Sequence, residues 1–169
     1  VTRSNIGHLA DGYDVFITPT MKEVDPLVAC GCEIIAIDAT RRPRPDGLTL
    51  DEFFNEVKKK YPNQLFMADC SDFDEGMHAA ELGFDFIGTT LSGYTEYTMG
   101  RELPDVTLIK RLAEECDKPV IAEGGIWYPE DLEKVLLAGA YAAVIGTAIT
   151  RPMDITKHFV KAIEKYYVK

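Results

Sequence analysis

Five short apolar stretches, rich in β-branched residues, recur along this chain, and each closes on a polar residue or glycine. They occupy residues 33–38, 64–69, 84–90, 119–123 and 142–146, ending at Asp38, Asp69, Thr89-Thr90, Glu123-Gly124-Gly125 and Gly146-Thr147. Runs of this length between turn signals read as strands buried on both faces, as in a parallel sheet.

Helical segments separate them. Residues 48–60 place Leu50, Phe53, Phe54 and Val57 on one helical face, and Pro62 stops the segment. Residues 72–82 end at Gly83, 105–116 run toward Pro119, and 129–138 end at Gly139 with Pro129 in the first turn. The last helix is expected to be capped by Thr150, to carry Pro152 at its start and to continue to Tyr167. Ahead of the first run, residues 1–14 read as a loop and 20–29 as a helix.

Strand and helix in alternation means α/β with right-handed crossovers. An open doubly wound sheet concentrates function at one switch point, whereas a closed (β/α)8 barrel gathers polar groups from many strand ends onto one face. Since all five runs end in polar or glycine residues, the expected fold is a (β/α)8 TIM barrel of the phosphate-binding type. Strand ends recur about every 27 residues, so eight units need roughly 200–250 residues. The 169 residues therefore read as one partial barrel domain, residues 1–169, holding the C-terminal five strands and their helices. The first two to three βα units are expected to be missing.

Composition narrows the partners. Hydrophobic residues at 46% are enough for a folded core, and a net charge of −10 disfavours a nucleic-acid or anionic-membrane partner. No apolar run approaches the ~18 residues of a spanning helix, and the N-terminus lacks a signal-peptide profile. A soluble, cytoplasmic chain is expected. Its four cysteines (Cys30, Cys32, Cys70, Cys116) and three histidines lack zinc-site spacing, so reduced structural thiols and no metal are expected. Cys70 follows Asp69, which leaves room for a reactive thiol.

The chemistry-bearing residues lie at the strand ends. Glycines let backbone N–H groups approach an anion, a helix N-terminus adds partial positive charge, and arginine binds phosphate bidentately. Gly124, Gly146, Thr147 and Arg151 occur in that order, although tight turns and a surface ion pair would explain them equally well one at a time. Asp38, Asp69 and Glu123 each follow four apolar residues, where a carboxylate is costly to desolvate without a partner. They could abstract a proton beside a carbonyl, grip sugar hydroxyls, or bond the next loop's backbone. The hydroxyl-rich string 89–98 could contact a sugar, form a lid, or be an ordinary loop, and Lys58-Lys59-Lys60 reads as a solvated helix end.

Six strings resemble the bacterial N-acetylmannosamine-6-phosphate 2-epimerase (N-acylglucosamine-6-phosphate 2-epimerase) family. They are residues 16–25, 35–40, 67–69, 88–95, 120–124 and 148–152, and the likeness extends in order from Asp14 to the C-terminus. Gly-Thr-Thr-Leu-Ser-Gly-Tyr-Thr and Ala-Ile-Thr-Arg-Pro are the most specific of them. The resemblance implies a barrel isomerase interconverting N-acetylmannosamine 6-phosphate and N-acetylglucosamine 6-phosphate in sialic-acid catabolism, with a small-molecule sugar phosphate as partner and no cofactor. It implies Glu123 as a catalytic group, Asp69 contacting the sugar, and Arg151 with Gly124, Gly146 and Thr147 holding the phosphate. A homo-oligomer is one option.

The chain also departs from the family pattern. The family's lysine, which ends the barrel's third strand, falls at Thr2, and residues 1–13 are several too many. The arginine of its second strand has no counterpart, and Thr147 replaces a second glycine. Two other readings stay open: another phosphosugar isomerase on the same barrel, or a sugar-phosphate binding module with impaired catalysis.

Overall fold

The computed structural model describes Thr2, Asn5–Ile6 and residues 16–166. A short antiparallel pair, β1 (Asn5–Ile6) and β2 (Phe16–Ile17), precedes α1 (Met21–Ala29). Then follow β3 (Ile34–Asp38), α2 (Leu50–Lys60), β4 (Leu65–Asp69), α3 (Phe73–Leu82), β5 (Phe86–Gly88), α4 (Val106–Glu115), β6 (Val120–Glu123), α5 (Pro129–Leu137) and β7 (Ala142–Val144). A one-turn α6 (Thr147–Thr150) leads into α7 (Pro152–Ile163) and a 3-10 turn, Glu164–Tyr166.

Strands β3 to β7 form one parallel sheet in the order β3-β4-β5-β6-β7. Spatial order matches chain order throughout, with no switch point. That is the arrangement of a barrel wall, and a doubly wound sheet would reverse direction partway.

Local chemistry sets the helix ends. Thr20 with Glu23, and Thr49 with Glu52, build reciprocal capping boxes on α1 and α2. Asp72 and Asp105 cap α3 and α4 through their carboxylates, while Gly83 closes α3 with φ of 95°.

Alternation along the strands divides the core in two. Ile35, Ile37, Phe66, Ala68, Val120 and Ala122 pack outward against Phe53, Phe54, Val57, Ile109 and Leu112 of the helices. The stack of Phe54 on Phe84, with ring centroids 3.7 Å apart, ties α2 to the lead-in of β5. Ala36, Met67 and Ile121 point the other way, into a second cluster with Ile17 and Leu91. Because side chains alternate, the residue two further along each strand lies on this same inner face. Those residues are Asp38, Asp69 and Glu123.

Three expectations need correction. Residues 1–14 are not wholly loop: Thr2 bridges Ile35 in parallel, and Asn5–Ile6 pairs with β2, because these backbone groups complete the edge beside β3. Thr150 does not cap α7. Its hydroxyl donates back to the carbonyl of Gly146 at 3.0 Å, and Arg151 takes the cap position without a side-chain bond. The third strand is shorter than 84–90, since Phe84 turns into the helix layer, the Thr89 hydroxyl clamps the Glu123 backbone, and the Thr90 hydroxyl turns to the Asp69 and Glu123 carboxyls. Tyr167, the expected end of the last helix, lies outside the described residues.

Candidate active site

The inner ends of β3 to β6 meet at one rim. Asp38 pairs in register with Asp69, Asp69 with Gly88, and Gly88 with Ile121, two residues before Glu123. The parallel ladder thus delivers three carboxyl side chains to the same edge.

The three are used differently. Asp38 Oδ1 accepts from the Thr40 backbone N–H at 3.0 Å and from its hydroxyl at 2.7 Å, while Oδ2 holds Arg42 at 2.7 Å. This is an Asx-turn closed by an ion pair, so of the readings open for Asp38 the loop-bonding one is realised. Arg44 braces the same corner by donating to the carbonyls of Pro19 and Asp38, with its guanidinium over the Phe53 ring. Burial pushes its pKa down to about 10, which leaves it cationic at neutral pH, and its Nε has no hydrogen-bond partner among the described residues.

Asp69 and Glu123 form a different unit. Thr90 Oγ1 lies 2.6 Å from Asp69 Oδ1 and 3.1 Å from Glu123 Oε2. Asp69 is fully buried, whereas Glu123 is half-buried and open to the rim. Thr89 fixes the Glu123 backbone, its hydroxyl accepting from the N–H and donating to the carbonyl, both at 3.0 Å. Gly88 is required by space. A Cβ there would sit 3.1 Å from Asp69 Oδ1 and 3.3 Å from Thr90 Oγ1, tighter than side chains normally pack.

Beyond Glu123 the chain turns through Gly124 and Gly125, with φ of 101° and 72°. A side chain on Gly125 would run into the backbone of Leu103, so this turn admits only glycine. Glu123 pairs in register with Val144, which carries the chain on to Gly146 beside the Gly124-Gly125 turn. The Gly146 carbonyl accepts from Ile149 and Thr150, opening the single turn that starts at Thr147. Arg151 follows that turn, mostly exposed, and its Nε pairs with Asp154 Oδ2 at 2.9 Å. The structure therefore links Asp69 to Glu123 through Thr90, with Gly124 next in the chain and Gly146-Thr147 just beyond the Val144 that pairs with Glu123. Arg151 stands at the outer end of the same loop with its guanidinium turned to Asp154.

The hydroxyl-rich string is mostly scaffold. Thr95 and Thr98 bond each other, Thr95 reaches Ser71, and the Tyr97 hydroxyl donates to Glu75 at 2.5 Å. Glu75, a buried carboxylate on α3, also accepts from the backbone N–H groups of Arg41 and Ser71. The sequence hides it three residues after the cap Asp72, where an acidic residue looks like ordinary capping. Cys70 is wholly buried, and desolvation holds its thiol well above the usual range, so it is an inert core thiol. A cavity of about 560 Å³ opens on the helix side of the β3–α2 loop, lined by Thr40, Pro43, Leu48, Asp51 and His78 among others. Neither Asp69 nor Glu123 lines it. Among the described residues no cluster of potential metal ligands occurs, and no helix is long and apolar enough to cross a membrane.

Comparison with known proteins gives the family and the fold. Residues 7–165 match the family described as "Putative N-acetylmannosamine-6-phosphate epimerase". A curated relative from Caldanaerobacter subterraneus, "Putative N-acetylmannosamine-6-phosphate 2-epimerase", is 55% identical over 155 residues, covering 92% of this chain and 65% of its own length. A relative of the same description from Clostridioides difficile is 51% identical, covering 89% and 67%. The chain thus spans about two thirds of the length of the curated relatives it matches. The solved N-acetylmannosamine-6-phosphate 2-epimerase from Clostridium perfringens superposes with a TM-score of 0.83 and 46% identity, covering 94% of this chain and 68% of that one. Thiamine phosphate pyrophosphorylase from Pyrococcus furiosus, at 18% identity and a TM-score of 0.58, shares the fold alone.

Proposed function

The chain belongs to the N-acetylmannosamine-6-phosphate epimerase family, and from that premise we propose that its rim inverts C2 of N-acetylmannosamine 6-phosphate to give N-acetylglucosamine 6-phosphate. The observation that carries this reading is the Asp69–Thr90–Glu123 unit, two carboxyls bridged by one hydroxyl at the strand ends, next to a glycine turn.

Inversion needs the C2 proton, acidic because it lies α to the C1 carbonyl of the ring-opened sugar, to leave from one face and return on the other. Glu123, partly open to the rim, is the group that exchanges this proton. Buried Asp69 orients the sugar, and hydrogen bonds at the rim stabilise the enolate oxygen. The backbone of Gly124, Gly146 and Thr147 accommodates the phosphate, with Arg151 as its cation once the guanidinium leaves Asp154. No cofactor is required for this chemistry.

Proton exchange tests it. With N-acetylmannosamine 6-phosphate in deuterated water, NMR should show deuterium entering C2 and the epimer accumulating. E123Q should lower the exchange rate at least about 100-fold while the far-ultraviolet circular dichroism stays native. Exchange unchanged in E123Q would exclude Glu123. Thr2, standing where the family resemblance places a lysine, favours a second reading: a chain that binds the sugar phosphate without turning it over. Saturable binding with no C2 exchange would select that reading.

A further inference from the structure

Gly88 is the last residue of β5, Thr89 and Thr90 follow it, and all three serve the two carboxyl groups. Gly88 leaves room for the Asp69 and Thr90 oxygens, and Thr89 clamps the Glu123 backbone. Thr90 touches both carboxyls.

Hydrogen-bond stoichiometry constrains what this contact can be. A threonine hydroxyl has one proton to donate and lone pairs to accept with. It can donate to both carboxyl oxygens in a three-centre bond, or donate to one and accept from the other once that second carboxyl carries a proton. When Glu123 has taken up the C2 proton, the bridged unit holds one proton beyond the hydroxyl's own.

We propose that Thr90 is a positioning residue that relays this proton between Glu123 and Asp69. The inference rests on the reading above, that Glu123 exchanges the C2 proton. In one state Glu123 is protonated and donates to Thr90 Oγ1, while the Thr90 proton points at Asp69. The O–H bond at Glu123 then breaks as one forms at Thr90, and the Thr90 O–H breaks as one forms at Asp69. The net result is one proton moved from Glu123 to Asp69, with no electron transferred and no heavy atom displaced. Glu123 is left ionised, ready to act as a base, and the reverse shift rearms it as an acid. Among the described residues, other titratable groups near this end of the sheet are engaged elsewhere: Asp38 by Arg42, Glu75 by Ser71, Arg41 and Tyr97, and Cys70 by burial.

The test compares T90V, which keeps the branched shape and removes the hydroxyl, with T90S, which keeps the hydroxyl. T90V should slow C2 exchange about 10- to 100-fold, the loss expected for one hydrogen bond to a charged group. Its affinity for N-acetylmannosamine 6-phosphate should change by less than about threefold, and T90S should recover the native rate to within about threefold. Exchange at the native rate in T90V, or T90S as slow as T90V, overturns the relay. A second measurement does not depend on turnover. In protein carrying ¹³C at the glutamate carboxyls, D69N should displace the Glu123 resonance in the native and T90S backgrounds and leave it in place in T90V. Equal displacement with and without the hydroxyl overturns the relay whatever the exchange assay gives. Coupling intact in a chain that exchanges no proton leaves the relay standing and overturns the epimerase reading alone.

Discussion

At the level of single residues, burial and partners separate groups that look alike. Asp38 and Asp69 share a ladder row and both end apolar runs, yet one is tied to Thr40 and Arg42 and the other to the Glu123 unit. Thiols divide the same way. Cys70 is sealed in the core while Cys30 lies exposed after α1, so an aromatic disulfide reagent should modify Cys30 in the folded chain. Cys70 should react only as fast as the sheet opens, on the order of a thousandfold slower or more, and should catch up in denaturant. Spectrophotometric thiol counting with C70S as control checks this. Arg151 is the other residue whose role is measurable. Its own side chain stays mostly solvent-exposed while paired with Asp154, a pairing worth little, so release for a phosphate costs little. R151A should weaken sugar-phosphate binding roughly tenfold and leave binding of the unphosphorylated sugar unchanged. Equal loss for both sugars would remove Arg151 from the phosphate site. Carboxyls ending apolar runs were legible in the sequence because a desolvated charge must have a reason. The Thr90 bridge was not, since only strand register brings position 90 beside 123.

Elements were easier to read than their junctions. Runs buried on both faces carry their own signal, and all five strands lie within the expected spans. Junctions depend on tertiary partners: Thr150 prefers the Gly146 carbonyl to the α7 cap, and Phe84 leaves the sheet for the helix layer. The two helix-ending glycines show how such junctions differ in cost. Gly83 has φ of 95° with open space around a Cβ, so G83A carries backbone strain alone, about 1 kcal/mol. Gly139 has φ of 103°, and a Cβ there would come within 2.8 Å of the Ala113 Cβ, forcing α5 away from α4 as well. G139A should therefore cost roughly 2–4 kcal/mol, adding overpacking to the strain. Urea unfolding midpoints of the two variants check the order, and equal midpoints would mean that α4 and α5 yield freely.

Across the molecule, packing is uneven. The outward residues of β3 to β6 are sealed by α2, α3 and α4, whereas β7 is only half-buried and α7 has no buried residue. Met153, Phe159, Val160 and Ile163 lie exposed along α7. Few buried contacts mean low local stability, so amide hydrogens of α7 should exchange orders of magnitude faster than those of β4. Mass-spectrometric hydrogen exchange by peptide checks this, and equal protection would show that something covers α7 in solution.

Because each strand from β4 to β7 lies beside the one made just before it, every ladder of the five-stranded sheet closes over a single intervening helix. On a ribosome, such a sheet can be laid down stave by stave as the polypeptide emerges. The Gly88-Thr89-Thr90 segment would then be in place before translation reaches Glu123, so the acid is born facing the hydroxyls that hold it.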